Sequence, residues 1–457
     1  MALTKARHRM IEGEVVNVKD YGATGDGVTD DTTAIQAAID AAAAGGGEVY
    51  IPSSSLPYVV ATTLTIPSGV TVLGDAGHGD GVRTIIEGTM TTGNVFTLTA
   101  RSAVLKHVRI TADSGRQAGS GHGVSCNIGS EKTTTTSRWH LEDIVCKLQP
   151  DDGFHIVSPE LGLFENCTAE DCGRHGWLLD DGTDDGHTGS NLVGPFNNTF
   201  INCRAFTCGE YGWLLQHDAA ENCAVNTFTA CQALGCDSTD TVGYQWRLAG
   251  ASNVLINCDI EDQQYATNGK TTPSEGILLS GQNHVITGGH FSSLTRGIDV
   301  SSATNAMVEN IRAFKGTYAI ELPHLIHVRG TSVNTFIRID DDYPSQVTLP
   351  IKDQGVNTTV LGMRETVTTG SPALRIHGYT LLDSSGGAIT ATLGSGTRVG
   401  SIKTIAMTDA SNSSTVSVTN HETSDPEVFT FADVDDTLVL MWTGTEWITI
   451  ANSGVAT

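Results

Sequence analysis

The sequence is poor in positive charge and contains no long apolar segment. Its 457 residues include 26 Lys and Arg against 51 Asp and Glu, which gives a formal net charge of −25. This balance argues against nucleic acid or an anionic membrane surface as a partner, because both are bound through clustered Lys and Arg. No apolar run reaches the roughly 18 residues of a membrane-spanning helix. The basic residues among the first ten are not followed by an apolar core, so we expect no signal peptide.

Charged residues of both signs are scarce, at 17% of the chain, whereas glycine is abundant, with 51 residues. Thr, Ser and Asn are also frequent. This composition is typical of an all-β protein in which short strands are joined by many turns. The length allows a large core and predicts more than one domain.

The N-terminal region combines a strand, glycine-rich turns and a helix. Residues 15–18 are mostly valine and predict a short strand, and the glycines of segment 22–27 permit tight turns at positive φ. Asp30 or Asp31 can cap a helix near 30–44, whose apolar residues follow helical spacing. A short amphipathic helix before many short strands suits a cap over the open end of a stacked-strand core.

Three segments of this region carry a family resemblance: VVNVKDYGA at 15–23, GDGVTDD at 25–31 and GGGEVYIP at 45–52. In this order and spacing they resemble the N-terminal signature of the pectate-lyase-like superfamily. The resemblance implies a right-handed parallel β-helix with a carbohydrate target. It does not imply one reaction, because this fold hosts hydrolases, lyases, epimerases and adhesins.

The residues before this signature resemble the lead-in of bacteriophage tail spikes and tail fibres. They are ALTK at 2–5 and RMIEG at 9–13. This second resemblance implies location in the virion tail, phage tail or baseplate proteins as partners, and a homotrimer. The alternative is an extracellular location, as for a secreted enzyme.

A loose unit repeats from about residue 100 to 330. Its first strand is represented by FENC at 164–167, FINC at 200–203, FTAC at 228–231 and LINC at 255–258. Its second strand is represented by GWLL at 176–179, GWLL at 212–215, GYQW at 243–246 and GILL at 276–279. Variable loops separate the strands, as expected for the coils of a β-helix. Equivalent side chains should therefore stack one coil above another.

The repeat explains most of the ten cysteines. One phase holds Cys146, Cys167, Cys203, Cys231 and Cys258, and a second holds Cys172, Cys208 and Cys236. Disulfides or metal ligands are one reading, and a ladder of buried, reduced thiols is the other. We expect the ladder, because zinc ligands usually come in pairs two to four residues apart and these pairs are five apart. Asn166, Asn202 and Asn257 predict an asparagine ladder beside it.

The strand pattern changes near residue 365. Strand signals at 407–418, 428–431, 438–442 and 447–450 alternate with turn signals. We predict three regions: a lead-in at 1–14, a β-helix at 15–364 and a C-terminal β-sandwich at 365–457. The sandwich would serve trimerisation or glycan contact.

Candidate catalytic residues come from loops that lengthen on one side of the repeat, where solenoids usually bind. Asp152, Asp180, Asp181 and Asp218 are the candidate acids and bases, and we expect them in exposed loops. Adjacent coils are about 4.8 Å apart. Carboxyls one coil apart would suit a retaining glycosidase, and carboxyls two coils apart an inverting one.

Further residues on the same side are candidates for substrate binding: His155, Arg174, His175, His187, His217 and Arg247. Some of them could instead supply the base of a polysaccharide lyase. Asp184 and Asp185 have three open readings: substrate binding, a calcium site or an ordinary turn. We expect no required cofactor, with calcium as the one possibility. His122 lies in a segment similar to the histidine motif of polygalacturonases, but Asp151-Asp152-Gly153 follows it rather than precedes it, so that activity is not carried over.

Three functions compete on this sequence. The first is a phage-type depolymerase that cleaves a surface or extracellular polysaccharide, with hydrolysis slightly favoured over β-elimination. The second is a non-catalytic tail fibre or adhesin that binds glycan. The third is a cellular, secreted polysaccharide lyase or hydrolase. The loop carboxylates favour activity over binding alone.

Overall fold

The protein is described from a computed structural model. The described residues are 15–44, 47–76, 84–99, 101–127, 138–157, 160–180, 194–216, 223–238, 243–262, 273–314, 324–338, 351–356, 358–361, 364–376, 378–396 and 399–456. They form two compact units. The first contains the described residues up to 281, with 289–299 and 314; the second contains 282–288, 300–313 and the described residues from 324 onward.

The first unit is a right-handed parallel β-helix, which confirms the predicted fold. Its strands form three parallel stacks, which we name sheets A, B and C. Sheet A contains Val16–Asn17, Glu48–Ile51, Thr71–Gly74, Val104–Lys106, His140–Glu142, Leu163–Glu165, Thr199–Ile201, Thr227–Thr229 and Val254–Ile256. Sheet B contains Tyr58–Val60, Thr84–Gly88, Val108–Ala112, Val145–Lys147, Thr168–Glu170, Arg204–Phe206, Gln232–Leu234, Asp259–Glu261 and His290–Ser292. Sheet C contains Leu64–Ile66, Phe96–Leu98, Val124–Asn127, Phe154–Val157, Trp177–Asp180, Trp213–Leu215, Tyr244–Leu248, Glu275–Gln282 and Arg296–Thr304.

The core consists of columns of identical side chains. In sheet C the indole of Trp213 stacks between those of Trp177 and Trp246, with ring centroids 4.7 and 4.9 Å apart. In sheet A the ring of Phe200 stacks on Phe164 at 4.6 Å. Each coil is closed by tight turns with residues at positive φ, among them Asn202. These columns align neighbouring strands on the coils that contain them.

The asparagine ladder is confirmed for Asn166 and Asn202 and is wrong for Asn257, because Ala230 holds the equivalent turn position on the coil between Asn202 and Asn257. The Asn202 amide donates to the Asn166 side-chain oxygen at 2.9 Å. A second, fully buried ladder was not predicted: the Asn198 amide donates to Asn226, and that of Asn226 donates to Asn253. These ladders satisfy backbone and side-chain polar groups inside the turns.

All ten cysteines are buried and free, so the expectation of a reduced thiol ladder is confirmed. The assignment of Cys146 to the first phase is wrong. Cys146 pairs in register with Ala169 in sheet B, whereas Cys167 lies in the turn before that strand. Cys146 therefore starts a column of small residues that continues with Ala205.

The predicted capping helix is confirmed as α1, Thr32–Ala43. Asp30 Oδ1 accepts a hydrogen bond from the Thr32 N–H at 3.0 Å. Gly22 adopts the positive φ expected from the sequence, at 97°. A 3₁₀ helix, Val18–Tyr21, precedes α1, and a one-turn helix, α2, spans Ser114–Gln117. No helix of the described residues is long and apolar enough to cross a membrane.

The second unit contains further parallel strands and two facing sheets. The parallel strands are Val285–Thr287, Met307–Glu309, Arg312–Phe314, His324–Val328, Phe336–Arg338, Ile351–Asp353 and Thr359–Leu361. One facing sheet contains Arg364–Val367, Gly378–Asp383, Ile402–Asp409, Thr437–Trp442 and Trp447–Ser453, and the other contains Ala373–Leu374, Thr390–Leu393, Ser414–Val418 and Glu427–Phe431. A 3₁₀ helix, Ser384–Gly386, lies between two of these strands.

These two sheets enclose one apolar core that includes Trp442 and Trp447. The C-terminal β-sandwich is thereby confirmed, and the tryptophans belong to its interior. Its earlier strands pair in parallel and its later strands in antiparallel fashion. The domain boundary at 364–365 stays a prediction.

Candidate functional site

Ionisable side chains occupy one equivalent position on successive coils, at the entry to sheet C. Each lies two residues before the inward-facing residue of its strand, and strand register aligns them. We name this set the ionisable column: His122, Asp152, His175, Tyr211, Tyr244 and Glu275. The positions before the first four of these residues hold Gly121, Asp151, Arg174 and Glu210, which are joined by backbone hydrogen bonds from coil to coil. The Asp237 N–H donates to the Glu210 carbonyl and extends this series, although Gly243 holds the position before Tyr244. We name the hydrogen-bonded series the flanking column: Gly121, Asp151, Arg174, Glu210 and Asp237.

Asp152 is the most tightly held carboxylate of the site. It is 0% exposed, and Arg174 donates to both of its oxygens, from Nε at 2.9 Å and from Nη2 at 2.6 Å. The backbone N–H of His175 donates to the same carboxylate at 3.0 Å. His122 Nδ1 lies 3.0 Å from Asp152 Oδ2.

These contacts favour the ionised form of the Asp152 carboxyl beside the Arg174 guanidinium. Burial alone would raise the pKa of Asp152, but His122 and Arg174 hold that pKa well below its usual range. The hydrogen bond to Asp152 in turn raises the pKa of Arg174. A buried carboxylate that stays ionised and has its oxygens occupied is suited to orienting its neighbours rather than to transferring protons.

A second acid–histidine pair lies on the outer face of sheet C. His155 Nε2 is 3.1 Å from Asp180 Oδ1, and both side chains are almost fully buried. The imidazole of His155 also packs against that of His122, with ring centroids 4.4 Å apart. The two histidines therefore connect Asp180 with Asp152 across the sheet.

His175 and Glu210 form a third acid–histidine pair, in which the acid is partly exposed. His175 Nδ1 lies 3.4 Å from Glu210 Oε2, and the Glu210 side chain is 34% exposed. Burial lowers the pKa of His175 to about 4, against the opposing charge of Asp152. Burial also raises the pKa of Glu210; Asp152 and Asp237 add to this rise, and Arg174 opposes it.

The column continues with two tyrosines. Burial raises the pKa of Tyr211, and the nearby Arg247 guanidinium opposes the rise. The Tyr244 hydroxyl donates to Asp299 Oδ2 at 3.0 Å. Arg296, on the same strand as Asp299, donates to the same Asp299 oxygen at 2.7 Å.

The structure brings together four of the residues selected from the sequence: Asp152, Arg174, His175 and, through His122, His155. Asp180 joins them through His155, while Arg247 lies farther along sheet C, beside Tyr211. The remaining candidates, Asp181, Asp184, Asp185, His187, His217 and Asp218, lie outside the described residues.

The expectation of exposed loop positions is wrong for Asp152 and Asp180, whose exposures are 0% and 2%. Asp152 begins a coil beneath Arg174, and Asp180 is the last residue of a sheet C strand. Both are covered because residues at the ends of these strands pack against neighbouring coils. The sequence also suggests Tyr244 as the equivalent of Trp213, but Trp246 holds that place.

Glu210 and Tyr211 were not among the predicted site residues. A signal for them exists in the sequence, because His122, Asp152, His175 and Tyr211 each stand directly before a glycine. That glycine is required by close packing. A Cβ on Gly176 would lie 2.5 Å from Ala205 Cβ. The residue before each such glycine marks the column.

Comparison with known proteins confirms the resemblance seen in the sequence. Residues 15–101 match the family model described as rhamnogalacturonase A/epimerase, pectate lyase-like. Mannuronan C5-epimerase AlgE5 of Azotobacter vinelandii is 54% identical over 80 residues, which are 16% of this chain and 8% of the epimerase. The tail spike protein of Shigella phage Sf6 is 48% identical over 65 residues, which are 13% of this chain and 10% of the tail spike. The chain thus matches only a small part of these relatives.

Solved structures show likeness over a longer stretch at low identity. The A-module of the Azotobacter vinelandii epimerase AlgE4 is 20% identical, with a TM-score of 0.45, and the likeness covers 75% of this chain and 99% of the module. Tailspike protein 2 of bacteriophage CBA120 is 15% identical, with a TM-score of 0.47, over 76% of this chain and 47% of that chain.

Proposed function

We propose that the protein is a polysaccharide depolymerase of the tail-spike kind, which hydrolyses glycosidic bonds along the ionisable and flanking columns. The observation that carries the proposal is the run of titratable side chains on successive coils, in which Glu210, whose pKa is raised, and Asp151 lie two coils apart in the flanking column. A carboxyl whose pKa is raised by burial is typical of a general acid. The relatives named as a tail spike protein and as a mannuronan epimerase support a carbohydrate target.

Glu210 is the proposed general acid. Its raised pKa favours the protonated form needed to donate to a leaving oxygen, and its side chain is partly exposed. His175, beside it, is kept neutral at neutral pH by its lowered pKa. A neutral imidazole leaves the Glu210 proton in place, whereas an imidazolium would favour the carboxylate.

Asp151 is the proposed general base. It lies two coils from Glu210 in the flanking column, with Arg174 on the coil between them. Two coils correspond to about 10 Å between backbones, which suits the roughly 6.5–9.5 Å between carboxyls that leaves room for the water of an inverting glycosidase. The N–H of Gly121 donates to Asp151 Oδ2 at 2.6 Å and fixes the orientation of this carboxylate.

Arg174 is the proposed contact for the sugar between acid and base. Asp152 engages two of its N–H groups and holds the guanidinium in one orientation, while the side chain stays 36% exposed. Asp152 therefore has a positioning role in this proposal.

The test is a panel of polysaccharides incubated with the full chain, with cleavage followed by reducing-sugar release and by the ultraviolet absorbance of unsaturated uronates. Glu210→Gln and Asp151→Asn should each lower the hydrolysis rate by roughly 10²–10⁴-fold. Glu170→Gln is the matched control, because Glu170 pairs with Lys147 on the outer face of sheet B. Unsaturated products would instead establish β-elimination, and binding without cleavage would establish an adhesin.

Assembly and location belong to the same proposal. We expect a location in the virion tail, as the name of the tail spike relative suggests. A homotrimer and contacts with other phage tail or baseplate proteins are expected from the resemblance of the lead-in alone. A calcium ion at Asp184 and Asp185 is part of the proposal as well, and its test is calcium binding by the Asp184→Asn variant.

A further inference from the structure

A histidine and two carboxylates converge on the outer face of sheet B, away from the columns at the entry to sheet C. Asp259 and Glu261 are two residues apart on one strand, so both point outward, while Ile260 between them is buried. His290 is the direct register partner of Asp259 on the next strand. One donor atom from each of the three lies within 4.8 Å of the others.

We propose that Asp259, Glu261 and His290 bind a divalent transition-metal ion such as Zn²⁺, with water completing its coordination. A donor set of imidazole and carboxylates suits zinc and other divalent transition metals, whereas calcium prefers oxygen ligands only. Three protein ligands leave an open coordination position. The ion would fasten two adjacent coils together.

The geometry requires little rearrangement. His290 Nδ1 and Asp259 Oδ1 are already 2.9 Å apart, and ligands at about 2.0–2.1 Å from zinc lie about 3.4 Å from each other in a tetrahedron. Asp259 Oδ1 is itself shielded from solvent, so ion binding does not have to strip water from it. A donor atom of Glu261 already lies within 4.8 Å of both.

The surroundings support a built site. The Ser292 hydroxyl donates to Glu261 Oε2 at 2.9 Å and can orient that carboxylate, as partners of metal ligands commonly do. Ile260, between Asp259 and Glu261, and Phe291, next to His290, are buried in the core. The ligands therefore stand on strands fixed from inside.

The chain offers a matched control with similar chemistry. His140, Glu142 and Glu165 form a second such group on sheet A. There the Lys106 ammonium lies 2.7 Å from Glu142 Oε2, so a positive charge already occupies the carboxylate. We expect this second group to bind zinc poorly.

The experiment is equilibrium dialysis of the untagged full chain against Zn²⁺, with metal analysis, and Co²⁺ absorption spectra as a second readout. The wild type should bind one more Zn²⁺ than the His290→Gln variant, and Asp259→Asn should weaken this site by roughly 10–100-fold or more. His140→Gln should leave the stoichiometry unchanged, and equimolar Ca²⁺ should not displace the ion. Circular dichroism of each variant checks that the fold is intact.

Two outcomes overturn the proposal. One is a wild-type chain that takes up no Zn²⁺, which would leave the His290–Asp259 contact as an ion pair only. The other is an unchanged zinc stoichiometry in both His290→Gln and Asp259→Asn. Neither depends on whether the protein cleaves a polysaccharide.

Discussion

Replacement of Asp152 by asparagine should destabilise the protein, because this carboxylate is fully buried and holds a cation. Asp152→Asn keeps the size of the side chain but removes the charge that receives two hydrogen bonds from Arg174 and one from the His175 N–H. The NH₂ group of the asparagine would also face one of these N–H donors, to which it cannot hydrogen-bond. Hydrogen bonds to charged groups contribute about 1.5–3 kcal/mol each, and breaking a buried ion pair costs about 3–5 kcal/mol.

The net loss should be smaller than the sum of these contributions. The Arg174 side chain is 36% exposed, so water recovers part of its solvation, and the neutral amide no longer bears the desolvation penalty of a charge. We expect the free energy of unfolding to fall by about 2–4 kcal/mol. Urea denaturation followed by tryptophan fluorescence measures this change.

Glu170→Gln is the control, because it removes a carboxylate from a cation, Lys147, on the solvent-facing side of sheet B. Exposed pairs contribute about 0–1 kcal/mol. A double-mutant cycle of Asp152→Asn with Arg174→Gln should give a coupling energy above about 1 kcal/mol. If Asp152→Asn is no more destabilising than Glu170→Gln, the carboxylate is not held as the structure shows.

Four further outcomes are expected. Gly176→Ala, whose new Cβ would meet Ala205 Cβ at 2.5 Å, should lower the free energy of unfolding by about 1–3 kcal/mol; Gly394→Ala, with open space around it, is the comparison. His175 has a pKa lowered to about 4 in the folded protein, so as the pH falls below about 6.5 the unfolded chain binds this proton before the folded chain does. The free energy of unfolding should therefore fall by up to about 3 kcal/mol between pH 6.5 and 4. Denaturation curves at several pH values should show that His175→Gln removes this loss. Trp213→Ala should cost about 3–5 kcal/mol and change the near-ultraviolet circular dichroism of the stacked indoles, whereas an unchanged spectrum would contradict the stack. Light scattering should give three times the mass of one chain, and a monomer would contradict the expected trimer.

The fold could be predicted because its core repeats the same residue types. Phenylalanines, tryptophans and cysteines each recur at their own phases of the coil, and a recurring inward residue predicts stacking whatever the loop lengths. The capping helix could be predicted because its signals are local: its apolar residues follow helical spacing, and Asp30 accepts a hydrogen bond from the first N–H of the helix. Register at the residue level was harder. GYQW at 243–246 looks like GWLL at 212–215, yet the larger indole of Trp246 takes the place of Trp213 in the core.

The site was predicted less well because the sequence shows where carboxylates are dense, not where coils bring them together. The segment from Asp181 to His187 was selected because it contains several acidic residues within a few positions. Glu210 is isolated from other acidic residues in the sequence, and it lies beside His175 only because their coils are adjacent. Burial is equally invisible: Asp151 and Asp152 are neighbours, but one is partly exposed and the other is fully covered by Arg174.

Core stacking, rather than loop length, sets the spacing of the columns. Each residue of the ionisable column lies two positions before an inward side chain. Asp152, for example, lies two positions before Phe154, and the ring of Phe154 stacks on that of Trp177 on the next coil at 3.9 Å. The loops between these strands differ in length, but each coil must return to the same stacking position before the next strand begins. The chemistry of the column therefore depends on the tryptophan core beneath it. A loop could change sugar preference without moving Glu210 relative to Asp151, whereas a substitution at Trp213 would disturb both stability and the geometry of the proposed acid.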